Sequence, residues 1–220
     1  MFIGHYAVGF AAKRLAPRAS LGVLMAAPIL LDLLWPVFLA AGWEQVRIDP
    51  GNTAFTPLDF VSYPISHSLV AAIGWGLLCG IIYRLLTGYA RGAVVVGLGV
   101  VSHWVLDFVT HRPDLPLYPG GERFGLGLWN SIPATMAVEI AMYAAAVWIY
   151  VSMTRTRDRI GAYSLWAFVA FALVAYAGNV AGGPPPGVGA LIVVASVQWI
   201  VPFWAWWIDR HREVAAALVA

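Results

Sequence analysis

The strongest constraint on this chain is a series of apolar stretches, each close to the roughly 20 residues an α-helix needs to cross a bilayer. They cover about residues 21–43, 67–86, 92–110, 131–153, 160–181 and 187–207 of the 220-residue sequence. In hydrocarbon a backbone must satisfy its own hydrogen bonds, so stretches of this length predict helices. With 61% hydrophobic and 11% charged residues and a mean hydropathy of +0.77, a soluble domain is excluded. The expectation is an all-α, polytopic membrane helical bundle of about six transmembrane helices plus a short N-terminal helix. It would form a single integral membrane domain over residues 1–220, with the candidate site in 1–125 and additional spans over 131–207.

The N-terminal segment MFIGHYAVGFAAKRLAPRAS has its basic residues after the apolar run and no small-residue cleavage site, so it is expected to be retained rather than cut as a signal peptide. Cys79 is the single cysteine, which excludes an internal disulfide.

Six spans alternate the connections between the two sides of a membrane. One side then holds Lys13, Arg14, Arg18, Arg84, Arg91, Arg155, Arg157, Arg159, Arg210 and Arg212, and the other only Arg47, Arg112 and Arg123. Because cytoplasmic loops carry the excess of Lys and Arg, both termini are expected in the cytoplasm and the three loops 44–66, 111–130 and 182–186 outside. The net charge of +2 gives no argument for nucleic acid as a partner, whereas membrane lipids are expected partners. Trp35, Trp43, Tyr63, Tyr118, Trp129, Trp204, Trp206 and Trp207 lie near span ends and are expected to be mostly interfacial anchors. The run Gly182-Gly183-Pro184-Pro185-Pro186-Gly187 predicts a stiff extended turn. Asn179 and Gln198 are expected to hydrogen-bond between helices.

Against this background, ionisable side chains inside the spans stand out. Each costs roughly 2.5–3.5 kcal/mol at the bilayer centre on insertion scales, so such groups face a protein interior and find partners. The first span carries Asp32, the head of the second His67, the third His103 and Asp107, the fourth Glu139, and the N-terminal segment His5. Counted from each span's cytoplasmic arginine at about 1.5 Å per residue, the groups in the spans fall in one slab about 18–25 Å up. His5, on a half-crossing helix, would lie somewhat lower. His103 and Asp107 are four residues apart and share one helix face, which His111 continues. Neutral imidazoles beside carboxylates form the ligand set of zinc and related divalent ions, and a coordinated water has its pKa lowered toward 7.

His67 follows Pro64-Ile65-Ser66, where Ser66 is expected to cap the helix start. Glu139 and His111 are candidates for catalytic acid–base work, Glu139 alternatively for an orienting group or an ion-pair partner of Arg112 or Arg123. His111 and Asp59 also fit surface or capping positions, with Asp59 a further candidate site residue. Arg112 and Arg123, in the outer loop RPDLPLYPGGERFGLGLWN, are candidates to hold an anionic head group. His211, in the basic tail, is expected to be solvated.

Four motifs occur in order: GHYAVGF, APILLDLLWP, YPISHSL and SHWVLDFVTHRPD. Together they resemble the bacterial inner-membrane metal-dependent hydrolases of the YdjM type, whose metal site is more distantly similar to that of zinc-dependent phospholipase C. The resemblance covers about residues 1–125. It implies a bacterial inner-membrane location, His5, Asp32, His67, His103 and Asp107 as metal ligands, and hydrolysis of an ester, phosphoester or lipid-like substrate at the outer face. Two positions depart from the family's pattern. Asp32 is flanked by leucines rather than by a second acid, and Tyr63-Pro64 stands where members tend to have His-Arg.

The alternative from another class is an ion or proton transporter using the same His/Asp cluster, against which the lack of internal repeats counts. A haem protein with His67 and His103 as axial ligands is a third reading, decided by the presence or absence of haem absorbance.

Overall fold

The computed structural model describes residues 1–215. A buried helix α1 (Ile3–Leu15) is followed by α2 (Leu21–Ala40) and a hairpin of β1 (Gln45–Ile48) and β2 (Leu58–Ser62). One helical turn, α3 (Pro64–His67), leads into α4 (Leu69–Thr87) and α5 (Ala90–Thr110). A loop with a two-residue pairing, β3 (Leu115–Pro116) and β4 (Arg123–Phe124), then precedes α6 (Ile132–Met153). After β5 (Thr154–Thr156) come α7 (Arg159–Ala181), α8 (Val188–Ser196), α9 (Ile200–Arg210) and β6 (Arg212–Val214), which pairs with β5.

Six helices are long and apolar enough to cross a membrane, the last being Val188–Arg210, in which α8 and α9 are joined by a 3₁₀ turn at Val197–Trp199. They lie within a few residues of the expected stretches, and their ends have local causes. Ser20, Ser131 and Asp158 accept backbone N–H bonds at the starts of α2, α6 and α7, as residues at that position commonly do. Gly88, with φ 69°, closes α4 in the left-handed conformation. One expectation is corrected here. The cap of α4 is Ser68, whose Oγ accepts from Ala71 N at 3.2 Å; Ser66 has a different partner, and His67 sits in the preceding turn rather than at the helix head.

Large apolar side chains cover the outer faces of the bundle, among them Leu77, Leu85, Leu86, Val94 and Leu98. Exposed apolar area this extensive is a lipid-facing surface. Inside, α2 occupies the centre, packed against α1, α5, α8 and α9, while α4 lies at the edge on α5. The α4–α5 contact depends on small residues: a Cβ on Gly76 would lie 2.7 Å from the Gly97 carbonyl oxygen, and one on Gly97 would lie 3.0 Å from that of Gly76. Such close approach is how helices gain van der Waals contact where lipid removes the hydrophobic drive.

Helix α1 is too short to span, at 13 residues and about 20 Å. Ile3, His5, Tyr6, Phe10 and Lys13 are all buried, because the helix threads between α2, α5 and α6. Lys13 is held by the Ala19 carbonyl at 2.7 Å and by Asp209 at 2.7 Å, which ties α1 to α9 at the basic end of the bundle. At the opposite end the hairpin meets α8 and, through Phe60 on Trp35, α2, while the 111–130 loop packs on α3 and α5. Trp35, Tyr63 and Trp129 are buried there, and so act as core rather than as interfacial anchors; Trp43 and Tyr118 are exposed as expected.

Candidate metal centre

The side chains that converge at the loop end come from four different elements. His5 is supplied by α1, Asp32 by α2, His67 by α3, and His103 with Asp107 by α5. Their burial makes the orientation of each ring a matter of who can donate.

The Nδ1 of His103 lies 2.8 Å from the Pro28 carbonyl oxygen. A carbonyl only accepts, so Nδ1 carries the proton and the Nε2 lone pair points inward. At His67, Nδ1 lies 2.6 Å from Ser66 Oγ, which in turn lies 2.6 Å from Glu44 Oε2. Since the Ser66 hydroxyl donates to the Glu44 carboxylate, it accepts from His67 Nδ1–H, and the His67 Nε2 lone pair also points inward. Glu44 is fixed in turn by the backbone N–H groups of Ile65 and Ser66, at 2.8 and 2.7 Å.

Two acceptor nitrogens therefore face each other at 3.2 Å. Asp32 Oδ1 lies 3.5 Å from His67 Nε2 and 3.7 Å from His103 Nε2. Asp107 Oδ2 lies 3.0 Å from His103 Nε2 and 3.8 Å from His67 Nε2. Asp32, His67 and His103 thus bring three acceptor atoms within ligand distance of one another, with Asp107 against both rings, and acceptors packed this way need positive charge, which the Met1 amino group supplies at Asp107. Ligand atoms about 2.0–2.1 Å from a tetrahedral zinc stand about 3.3 Å from one another. The spacings of His67, His103 and Asp32 match the edges of such a tetrahedron, so the residues fit a divalent ion.

His5 adds a second grouping with His103 and Asp107. Its Nε2 lies 3.1 Å from Asp107 Oδ1, its ring stacks on that of His103 with centroids 3.9 Å apart, and its Nδ1 has no partner among the described residues. The Met1 amino group donates to Asp107 Oδ1 and, at 3.3 Å, to Thr110 Oγ1.

His111 lies beside this cluster, its Nε2 3.7 Å from Asp107 Oδ2. Behind it, Asp114 Oδ1 accepts from His111 Nδ1 at 2.9 Å and from the Tyr63 hydroxyl at 3.0 Å. Burial first, and then the charge of Asp114, holds the Tyr63 phenol well above its ordinary pKa, so it remains a donor. The result is a histidine with a carboxylate fixing one nitrogen and the other left free toward the cluster. His111 and Asp59 are both buried, so neither is a surface residue, while His111 does take the expected capping position, as the C-cap of α5. Asp59 is paired with Arg47 and Arg112, each at 2.5 Å, and Arg112 Nε also donates to Asp114 at 3.3 Å. Arg123 donates to the Val61 carbonyl at 2.8 Å.

Glu139 does not pair with either arginine. Its Oε2 accepts the N–H groups of Phe2 and Gly4, at 2.8 and 3.0 Å, and so holds the start of α1 next to His5. Its Oε1 is buried without a hydrogen-bond partner among the described residues.

Access to the cluster comes from a cavity of about 850 Å³. Asp32 and His111 line it, with Trp35, Phe60 and Trp129 around them. Asp32 is the exposed edge of the cluster, with 23% of its side chain accessible against 0–4% for His67, His103 and Asp107. Asn179 and Gln198, expected to bridge helices, line this cavity instead. His211 lies far off along the chain, paired with Asp158 at 2.7 Å.

The family profile for YdjM inner membrane proteins matches residues 1–181. The chain belongs to the YdjM inner membrane protein family. It is therefore a multi-pass inner-membrane protein, and its likeness to YdjM proteins runs past the 1–125 motif region to the end of α7. No curated protein and no solved structure matches the chain. All the groups in the cluster of this YdjM family member fall within the matched segment, as do Glu44, Ser66 and Asp114.

Glu44 and Asp114 were missed in the sequence, and Ser66 was read there only as a helix cap. Asp114 carries a local signal, since it follows His111 by three residues at the end of a helix. Glu44 carries none, because its partners lie 21 and 22 residues away.

Proposed function

We propose that this protein is a membrane-embedded metal-dependent hydrolase acting on an ester or phosphoester at the outer face of the inner membrane, with both termini in the cytoplasm. The observation that carries the reading is the convergence of acceptor atoms from Asp32, His67 and His103, with Asp107 beside both rings and the Asp32 edge open to a cavity. Zinc suits two imidazoles and a carboxylate at this spacing. When bound it supplies a Lewis acid and brings the pKa of a water down to about 7.

The protein's own residues divide the remaining work. His103 and His67 are locked in one tautomer by Pro28 and by Ser66–Glu44, which keeps both Nε2 atoms available as ligands. His5 completes the wall beside Asp107, and Glu139 positions it by fixing the first turn of α1. His111, oriented by Asp114, takes the proton as the nucleophile forms and returns it to the leaving oxygen. Arg123, at the loop end, offers positive charge to an anionic substrate group, whereas Arg112 is engaged by Asp59 and Asp114 and holds that loop in place. Trp35, Phe60 and Trp129 limit water around the reacting atoms.

The test is hydrolysis of phospholipid and phosphomonoester panels by protein in nanodiscs. Turnover that a chelator abolishes and added zinc restores is expected, with His111→Ala lowering kcat about 10²–10⁴-fold while metal is retained. No turnover on any ester, together with ion flux in liposomes, would replace the hydrolase with a transporter.

A further inference from the structure

The cavity beside the cluster has two ends of different chemistry. At one end Asp32 and His111 meet it. Away from them its walls are mostly apolar, with Phe171, Ala172 and Ala175 from α7, Leu191 and Val194 from α8, and Val201 from α9, and with Asn179 and Gln198 as polar groups among them. At about 850 Å³ it falls in the range of small-molecule sites, far larger than a bound water or ion needs.

Its wall is also open toward lipid. Val194 and Val197 line the cavity, yet are 67% and 54% exposed. The same helix face thus looks both into the cavity and out of the bundle. Helix α8 packs on α2, whereas α7 packs on α9, and the two helices are joined by the segment containing Pro184, Pro185 and Pro186, which also lines the cavity. Three consecutive prolines resist bending. They act as a spacer that keeps the outer ends of α7 and α8 apart. An apolar chamber that opens sideways into a bilayer is surrounded by one abundant ligand, the hydrocarbon chain of a lipid.

We propose that this cavity holds an acyl chain of a membrane lipid that enters between α7 and α8, placing the ester or phosphoester linkage of the lipid beside Asp32 and His111. The substrate class of the site is then an acyl lipid rather than a soluble ester. The chemistry rests on the hydrolase reading above; the binding of the chain does not. Helices α8 and α9 lie beyond residue 181, so this wall of the cavity falls outside the family match.

The probe is phosphatidylethanolamine carrying a diazirine in the distal half of one acyl chain, incorporated in nanodiscs with the full chain. After photolysis, adducts are mapped by mass spectrometry. Adducts on Ala172, Ala175, Leu191 and Val201 are expected, with loss of at least most of them in Ala175→Trp, which fills the chamber. Val194→Trp, at the exposed rim where the fold is not at stake, should produce the same loss by closing the mouth. Adducts confined to outward-facing residues such as Leu77 and Val174, or internal adducts that neither tryptophan reduces, would overturn the proposal. Lipid hydrolysis is read on the same samples. Internal adducts without turnover would sink the hydrolase and leave the acyl site standing; turnover without internal adducts would do the reverse.

Discussion

His67 and His103 owe their role to what holds the far side of each ring. The Pro28 carbonyl fixes one, and the Ser66 hydroxyl, committed to Glu44, fixes the other. Removing the Ser66 hydroxyl leaves His67 free to present the wrong tautomer. Ser66→Ala is therefore expected to weaken metal affinity about 10–100-fold with the ligands intact, as measured by competition with a chelating dye; unchanged affinity would show that the relay does not tune the site. The clustering of the proposed ligands was legible in the sequence because charge inside an apolar run is rare, and because four residues along a helix bring His103 and Asp107 to one face. Glu44 and Ser66 were not, since a serine before a helix reads equally as a cap. The backbone decides between them: Ser68, with ψ 150°, takes the capping position, which leaves Ser66 for His67.

At the scale of elements, hydropathy alone located the spans, since every one has to bury its own backbone in hydrocarbon. What hydropathy could not convey is how they pack. The α4–α5 pair meets through Gly76 and Gly97, each facing the other's carbonyl oxygen. Gly97→Leu forces these backbones apart, and is expected to cost about 1–3 kcal/mol as an overpacked contact, seen as a lower Tm in detergent. Because α5 carries His103 and Asp107, metal affinity should fall with it; an unaltered Tm would mean that the helices do not approach as closely as described. The hairpin of β1 and β2 was also hidden in the sequence. It lies in a segment expected to be loop, and its pairing of Arg47 with Asp59 depends on a turn between them rather than on an alternating pattern.

Taken whole, the molecule places a polar cluster at one end of a bundle whose other end carries most of its basic residues. With the basic end facing the cytoplasm, reporter fusions at Ala215 and in the loop near Gly120 should report opposite sides: cytoplasmic for the first and periplasmic for the second. The reverse pattern would turn the cluster toward the cytoplasm and overturn the outer-face reading. Above all, Asp32, His67 and His103, with Asp107 beside them, are proposed to hold a divalent ion. Metal analysis of protein purified without chelators tests this most directly, alongside His103→Ala. Stoichiometric zinc or a related divalent ion is expected in the unaltered chain, and its loss in the variant. A folded, unaltered protein without stoichiometric metal would contradict the proposal.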